Sequence, residues 1–141
     1  MTNTVYEQFA AAAQISPHLP FLCYPPSDDR GYLPKGAEFS YGEVLKTVDK
    51  LAIRYQEAGF VAGHRVALLL GNLPDHFWHL FALNSIGVSV IPLNPAYLDH
   101  ELEYAISFAN CALVVTMPER VEDLNRICSG MSPCVSTYNI E

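Results

Sequence analysis

One stretch, residues 65–97, constrains the fold of this chain more than any other. It reads RVALLLGNLPDHFWHLFALNSIGVSVIPLNPAY. Its first part, residues 65–70, is an apolar run with a charged first residue, the pattern of a strand that is covered on both faces of a parallel sheet. Pro74 suits the first position of the next helix, whose apolar residues cover most of its circumference, and residues 88–93 form a second apolar strand. The stretch therefore predicts a strand, a buried helix and a parallel strand.

Similar units extend on both sides of this stretch. Ser40 and Glu43 have the spacing of a capping box, so a helix should begin there and end at Gly59. The other predicted elements are helices over residues 5–14, 99–109 and 118–128, strands over residues 21–24 and 112–116 and from about residue 135, and a surface loop over residues 25–36. At 141 residues the chain holds at most one domain. Alternating strands and helices predict an α/β fold with an open, mostly parallel sheet and helices on both faces.

The polar surface of this chain is thin. Half of its residues are hydrophobic and only 16% are charged, whereas roughly 25% are charged in a typical soluble domain. We therefore expect some apolar surface to be covered by further chain or by a partner. An unpaired sheet edge and the apolar helix over residues 77–86 would otherwise be exposed, so the isolated chain should be poorly soluble or self-associate.

Charge and cysteine usage exclude several classes of protein. The net charge of −7 has the wrong sign for a surface that follows phosphates, so a nucleic-acid partner is not expected. The apolar runs are much shorter than the roughly 18 residues of a membrane span, and a start that carries Glu7 and no basic residue is unlike a signal peptide. Cys23, Cys111, Cys128 and Cys134 lack C-x-x-C spacing, which favours reduced structural thiols. We expect a cytoplasmic protein without a membrane span.

Turn residues follow two of the predicted strands. Gly71 and Asn72 come after the first strand of residues 65–97, and Asn94 and Pro95 come after the second. Ligands of open parallel sheets bind at the carboxyl ends of strands, so either pair could line a pocket. Asn, Gly and Pro are also ordinary turn residues, and the turn interpretation is the better supported of the two.

The histidines form no recognisable metal motif. His76 and His79 lie three residues apart on a predicted helix, but a zinc site needs a third ligand and a recognisable partner segment. Asp75 has the i,i+4 spacing that would support His79 on the helix face. His64 and His100 stand alone at a predicted turn and a helix start.

Nucleophile and phosphate-binding motifs are absent from the printed sequence. No G-x-S-x-G turn, G-x-x-x-x-G-K-[ST] loop or G-x-G-x-x-G loop occurs in it. Gly59 and Gly63 fit a helix cap and a turn instead. The residues by themselves therefore assign no catalytic, cofactor-binding or metal site.

Three segments in succession carry a resemblance to a known family. They are FSYGEVLKTVDKLA at residues 39–52, AGHRVALLLGNLPDHF at residues 62–77 and IPLNPAYLDHELEYAI at residues 91–106. Their order and spacing resemble the N-terminal region of the adenylate-forming (AMP-binding) acyl-CoA synthetase/ligase superfamily. The likeness is strongest over residues 38–116, weaker over residues 5–24 and almost nil after Pro118. It implies that residues 1–141 form an incomplete N-terminal part of the large domain of such an enzyme.

The resemblance also implies an activity that this sequence does not complete. Members of the superfamily join a fatty or aromatic acid to coenzyme A through an acyl-adenylate, with ATP and Mg²⁺. They hold the nucleotide phosphates with a Ser/Thr/Gly-rich loop ending in Lys, bind ribose with an acidic residue and orient the acyl phosphate with a C-terminal Lys. No position of this chain matches these motifs, so by itself it should bind no cofactor.

Two functions follow from the resemblance, and a third stays open. In the first, the chain is the N-terminal fragment of an acyl-CoA ligase, inactive alone, whose partner is the remainder of that ligase; a strand starting near residue 135 favours this truncation. In the second, it is a natural short binding or assembly module that docks on a separately encoded ligase remainder. An independent small α/β enzyme is the remoter alternative.

Overall fold

Helices and strands alternate along the described part of the chain, which comprises residues 4–131 and 135–139 of a computed structural model. They are α1 (Val5–Ile15), β1 (Pro20–Tyr24), β2 (Ala37–Ser40), α2 (Tyr41–Glu57), β3 (Arg65–Leu69), α3 (Pro74–Ser85), β4 (Ser89–Pro92), α4 (Asp99–Phe108), β5 (Leu113–Thr116), α5 (Val121–Cys128) and β6 (Ser136–Asn139). The predicted helices and strands are confirmed, except that Pro118–Arg120 is a short 3₁₀ turn ahead of α5. Cys134 and the last two residues of the strand predicted from residue 135 lie outside the described residues.

The main sheet is parallel, as the sequence predicts. Its four strands lie in the order β4-β3-β5-β6, and each neighbouring pair runs parallel. Val66 of β3 lies opposite Val90 of β4 and Leu113 of β5. β3 and β5 are the two central strands, and helices cover both faces of the sheet, so their continuous apolar runs are buried on both faces.

A second, two-stranded sheet was not predicted. In it β1 and β2 pair antiparallel, with Leu22 opposite Phe39. The sequence reasoning missed β2 because its four residues directly precede the confirmed capping box of α2, in which Ser40 N donates to Glu43 Oε2 at 2.8 Å. Gly36, with φ of 73°, directly precedes β2, and a Cβ there would lie 2.5 Å from the carbonyl oxygen of Tyr24. Only glycine fits this close approach, which joins the predicted surface loop to β2.

Helices α1, α2 and α3 form an aromatic layer on one face of the sheet. Phe81 of α3 stacks on Phe9 of α1, with ring centroids 4.5 Å apart, and also meets Phe21 of β1. Helix α3 packs on β3 and β4 and is itself contacted by α1 and α2. The expectation that this apolar helix would be exposed in the isolated chain is therefore wrong, because two helices of the same chain cover it.

Helices α4 and α5 form a thinner, aliphatic layer on the opposite face. Leu102, Ile106 and Leu124 are fully buried there against the sheet, which confirms helices on both faces. The outer side of α4 is apolar as well: Tyr104 is 68% and Phe108 78% exposed, and their rings stack. We call the exposed side chains of Leu98, Tyr104 and Phe108 the α4 aromatic surface.

None of the helices in residues 4–131 is long and apolar enough to cross a bilayer.

Candidate functional site

The carboxyl ends of three parallel strands meet around an open cleft of about 710 Å³. Gly71, after β3, and Pro95, after β4, both line it, and a Cβ on Gly71 would lie 3.3 Å from the Pro95 ring. Gly71 has φ of 60°, so a glycine is favoured where β3 turns into the cleft. One residue of each predicted pair is therefore at the cleft.

The asparagines of those pairs have a different role. Neither Asn72 nor Asn94 is among the residues that line the cleft. Asn94 Oδ1 accepts a hydrogen bond from the backbone N–H of Ala96 at 2.9 Å, which closes a turn after β4. The turn interpretation of Asn94 is thus confirmed.

Two cleft-lining segments were missed from the sequence. Met117–Arg120 follows β5, and residues 30–32 belong to the loop between β1 and β2. The first segment could have been found, because it follows a predicted parallel strand whose carboxyl end must lie at the same edge as those of β3 and β4. The loop could not, since its position depends on the β1–β2 pairing that sequence reasoning did not foresee.

The loop over residues 25–36 is fixed to the edge of the sheet by polar contacts. The Tyr32 hydroxyl donates to Asp75 Oδ2 in the first turn of α3. Burial, with this carboxylate as a second cause, raises the pKa of Tyr32 well above its usual value, so the phenol stays protonated. The Arg30 guanidinium lies 3.9 Å above the Tyr24 ring and donates to the carbonyl oxygen of Pro25. Arg30 is therefore held at the cleft wall.

Two guanidinium groups border the cleft with unsatisfied nitrogens. The Nε atoms of Arg30 and Arg120 are buried, and neither has a hydrogen-bond partner among the described residues. Arg120 Nε lies 3.9 Å from Asp123 Oδ2, which is an ion-pair distance beyond hydrogen-bonding range. Glu119, also in the lining, is exposed, so solvent screens its charge. The cleft therefore combines an apolar floor with two cations.

Two buried polar side chains, Tyr55 of α2 and His79 of α3, form a pair within the helix layer on one face of the sheet. His79 is 3% exposed, and its Nδ1 is 2.7 Å from the Tyr55 hydroxyl. Burial, and to a smaller extent the charges of Arg54 and His76, lower the pKa of His79 to about 4. Burial raises the pKa of Tyr55. Both side chains are neutral at physiological pH, which is how this apolar layer accommodates them.

The expectation that Asp75 supports His79 is wrong. Asp75 accepts from Tyr32 in the loop, and His79 instead meets Tyr55, because α2 packs along the side of α3 that carries His79. A cavity of about 250 Å³ adjoins the pair, lined by Phe60, Leu113 and Tyr138 among others.

The remaining sequence candidates have local structural roles. His64 Nδ1 accepts from the backbone N–H of Val61 at 3.1 Å, and His100 is exposed in the first turn of α4. Gly59 and Gly63 have φ of 89° and 97°, which confirms the helix cap and the turn. Within residues 4–131 and 135–139, no group of three or more His, Cys, Asp or Glu side chains is placed to hold a metal ion.

Comparisons with known proteins connect this architecture to one family. The sequence model of a family described as "AMP-binding enzyme" matches residues 9–139, well past Pro118, where the resemblance was expected to fade. The chain is 32% identical over 82 residues to a crotonobetaine/carnitine–CoA ligase of Proteus mirabilis, which covers 58% of this chain and 16% of that protein. It is also 32% identical over 82 residues to a long-chain-fatty-acid–CoA ligase of Bacillus subtilis, covering 58% of this chain and 15% of the relative.

Among solved structures, the N-terminal domain of FACL13 from Mycobacterium tuberculosis has the same fold. The two superpose with a TM-score of 0.83 at 15% identity, over 99% of this chain and 34% of that one. This identity is low enough that the likeness concerns the fold alone. The chain spans less than a fifth of the length of the two curated relatives.

Proposed function

Because the chain belongs to the AMP-binding enzyme family, we propose that it is the N-terminal part of an ATP-dependent acyl-CoA ligase. That ligase joins a carboxylic acid, fatty or aromatic, to coenzyme A through an acyl-adenylate. The observation that carries the proposal is the family match over residues 9–139, and two curated relatives are CoA ligases by name. We place this ligase in the cytoplasm, consistent with the reduced thiols expected of its cysteines.

The residues of this chain do not fit the nucleotide and the metal that the family implies. The cleft offers guanidinium and apolar groups, but no glycine-rich loop ending in Lys occurs anywhere in the sequence. Carboxylate ligands suited to Mg²⁺ do not converge in the described residues. We therefore assign no step of adenylate formation to these 141 residues, and we expect the chain alone to be inactive.

The experiment that tests this function compares two lengths of product. The coding sequence is read past Glu141, and any longer product is assayed for ATP-dependent formation of acyl-CoA beside the 141-residue chain. We expect ligation by the longer product and none by the shorter. A longer product that folds, binds ATP and forms no acyl-CoA with a panel of fatty and aromatic acids would contradict the proposal.

A second function is favoured by the surface of α4. The α4 aromatic surface is exposed beside β4, which is an edge strand of the sheet. Exposed apolar surface next to an open edge is typical of an interaction site. In this alternative the chain is a natural assembly module that docks on a separately encoded ligase remainder. A native mass equal to 141 residues, together with co-purification of such a remainder, would favour it over the first function.

A further inference from the structure

We propose that the cavity beside His79 binds a small neutral aromatic molecule that carries one hydrogen-bond acceptor, such as an aryl ketone. We call this space, of about 250 Å³, the His79 cavity. It lies between α2, α3, β5 and β6 and shares no lining residue with the cleft at the strand ends. The site is therefore separate from the cleft, and its ligand is not the acid of the proposed ligase reaction.

Aromatic rings form most of the wall of the His79 cavity. Tyr55 meets Phe60 edge to face, with ring centroids 5.7 Å apart. His79 meets Tyr138 in the same way at 6.2 Å. Leu113 of β5 adds an aliphatic surface. Such walls favour a flat ring in edge-to-face or stacked contact. An apolar cavity of about 150 Å³ already holds benzene, so the His79 cavity has room for one ring with a small substituent.

A ring nitrogen of His79 can anchor the ligand. The Tyr55 hydroxyl lies 2.7 Å from His79 Nδ1 and has no other hydrogen-bond acceptor among the described residues. The phenol therefore donates to Nδ1, which assigns the proton of the neutral imidazole to Nε2. Nε2 has no partner among the described residues, yet it is not one of their unpartnered nitrogens that lack accessible surface.

The accessible surface of His79 opens on one groove. His79 lines the His79 cavity and also an adjoining hollow of about 260 Å³, and Arg54 and Tyr138 line both spaces as well. Nε2–H is therefore a donor that a ligand in this groove can reach. Pairing it with an acceptor removes the cost of an unsatisfied N–H in an apolar setting.

The charges around the cavity favour a neutral ligand. Burial lowers the pKa of His79 to about 4, so the imidazole carries no charge near neutral pH. Arg54 is exposed at the rim, with its guanidinium carbon 6.0 Å from the Tyr138 ring centroid, so solvent screens its charge. An anion inside the cavity would lose its hydration without a buried charge to compensate. A cation would find no carboxylate in the lining.

The test is a titration of the full 141-residue chain with acetophenone, followed by the backbone amide resonances. We expect saturable shifts at Phe60 and Leu113, which line the cavity, and none at Gly71 in the cleft at the strand ends. Ethylbenzene has a similar shape without the carbonyl oxygen and should bind about tenfold more weakly, because Nε2–H then stays unpaired. Benzoate should also bind this cavity about tenfold more weakly, because its charge is not compensated there.

A blocking variant tests the location of the ligand. Ala58→Phe introduces a ring at an exposed position that caps α2 and lines the cavity, and it should weaken acetophenone binding about tenfold. Ala11→Phe makes the same change at an exposed position of α1 outside the cavity lining, and should bind as the unchanged chain does. Circular dichroism of each variant verifies that the fold is kept.

A second variant tests the anchor. Tyr55→Phe combined with His79→Phe removes both polar groups together, so that neither is left buried and unpaired. This double variant should bind acetophenone and ethylbenzene equally, because the donor that distinguishes them is gone.

The outcomes that would overturn the inference are distinct from a failure of ligation. Equal binding of ethylbenzene or benzoate by the unchanged chain, full affinity in Ala58→Phe, or acetophenone shifts confined to Gly71 would each overturn it. A preference for acetophenone that persists in the double variant would do so too. Acyl-CoA formation by a longer product is measured separately and has no bearing on this titration.

Discussion

The two faces of the parallel sheet are covered in different ways. On one face α3 lies on the sheet and is itself contacted by α1 and α2, and the layer is rich in aromatic rings. On the other face α4 and α5 form a single layer whose buried residues are mainly aliphatic. We call these the double-layer face and the single-layer face.

The difference explains where apolar surface remains. A helix that has helices on its outer side can be apolar around most of its circumference, as α3 is. A helix in a single layer must present one side outward, and on α4 that side holds Tyr104 and Phe108. Apolar residues of both helices contribute to the low charged fraction of the sequence, yet of these two helices only α4 leaves large aromatic rings exposed.

The largest effect is expected from Phe81→Ala on the double-layer face. The Phe81 ring is 6% exposed and stacks on Phe9 at 4.5 Å, so its removal leaves a cavity between α3 and α1. We expect a loss of about 3–5 kcal/mol in the free energy of unfolding, measured by urea denaturation. Phe108→Ala makes the same chemical change on the single-layer face at a ring that is 78% exposed, and should stay within about 0.5 kcal/mol. Equal losses in both variants would refute the contrast.

A smaller loss is expected from Leu102→Ala inside the single-layer face. Leu102 is fully buried with Ile106 and Leu124. Because one layer of helix covers this face, α4 can move inward and fill part of the cavity, so we expect about 2–3 kcal/mol. Leu98→Ala, at a position 62% exposed, is the matched control. If Leu102→Ala costs as much as Phe81→Ala, the single layer is packed as rigidly as the double layer.

Local sequence patterns were enough to predict the elements of both faces. The capping box at Ser40, Pro74 at the start of α3 and the apolar run of β3 each have a physical cause within a few residues, so their positions followed from the sequence. The relation between the faces did not follow. Whether α3 is covered depends on α1 packing against it across the intervening residues 16–73, which no local pattern encodes.

The candidate site shows the same limit. Gly71 and Pro95 could be placed at the cleft because strand ends of a parallel sheet share one edge. Arg30 could not, since its loop reaches the cleft only through the pairing of β1 with β2. His79 was predicted to pair with Asp75 on one face of α3, whereas its Nδ1 lies 2.7 Å from the Tyr55 hydroxyl. Spacing along α3 gave the neighbours within that helix but not the helix that packs against it.

The double-layer face should also make stability depend on pH. Burial lowers the pKa of His79 to about 4 from an ordinary value of 6.5. Because the unfolded chain binds the proton more readily, this contribution to stability is complete above pH 6.5 and is lost as the pH falls toward 4. We expect His79 to account for a loss of about 2 kcal/mol between pH 7.5 and pH 5, measured by urea denaturation at both values.

The contribution of His79 is isolated by His79→Gln, which keeps a polar side chain but cannot become charged. The pH dependence of the unchanged chain should be steeper than that of the variant between pH 6.5 and 5. His100→Gln removes an exposed histidine from the single-layer face and should leave the slope as it was. Parallel curves for the unchanged chain and His79→Gln would show that the buried pair does not oppose protonation.

The smallest effect on stability, and the most informative for assembly, is expected at the α4 aromatic surface. We expect the isolated chain to self-associate through this surface, because two large stacked rings are exposed beside the open edge of β4. Tyr104→Ser with Phe108→Ser should weaken self-association about tenfold in sedimentation velocity and change the free energy of unfolding by less than about 1 kcal/mol. Ser107→Ala, on the same helix, is the control. A chain that stays monomeric at every concentration would show that the single-layer face tolerates exposed rings in water, and the surface argument for a docking partner would then be lost.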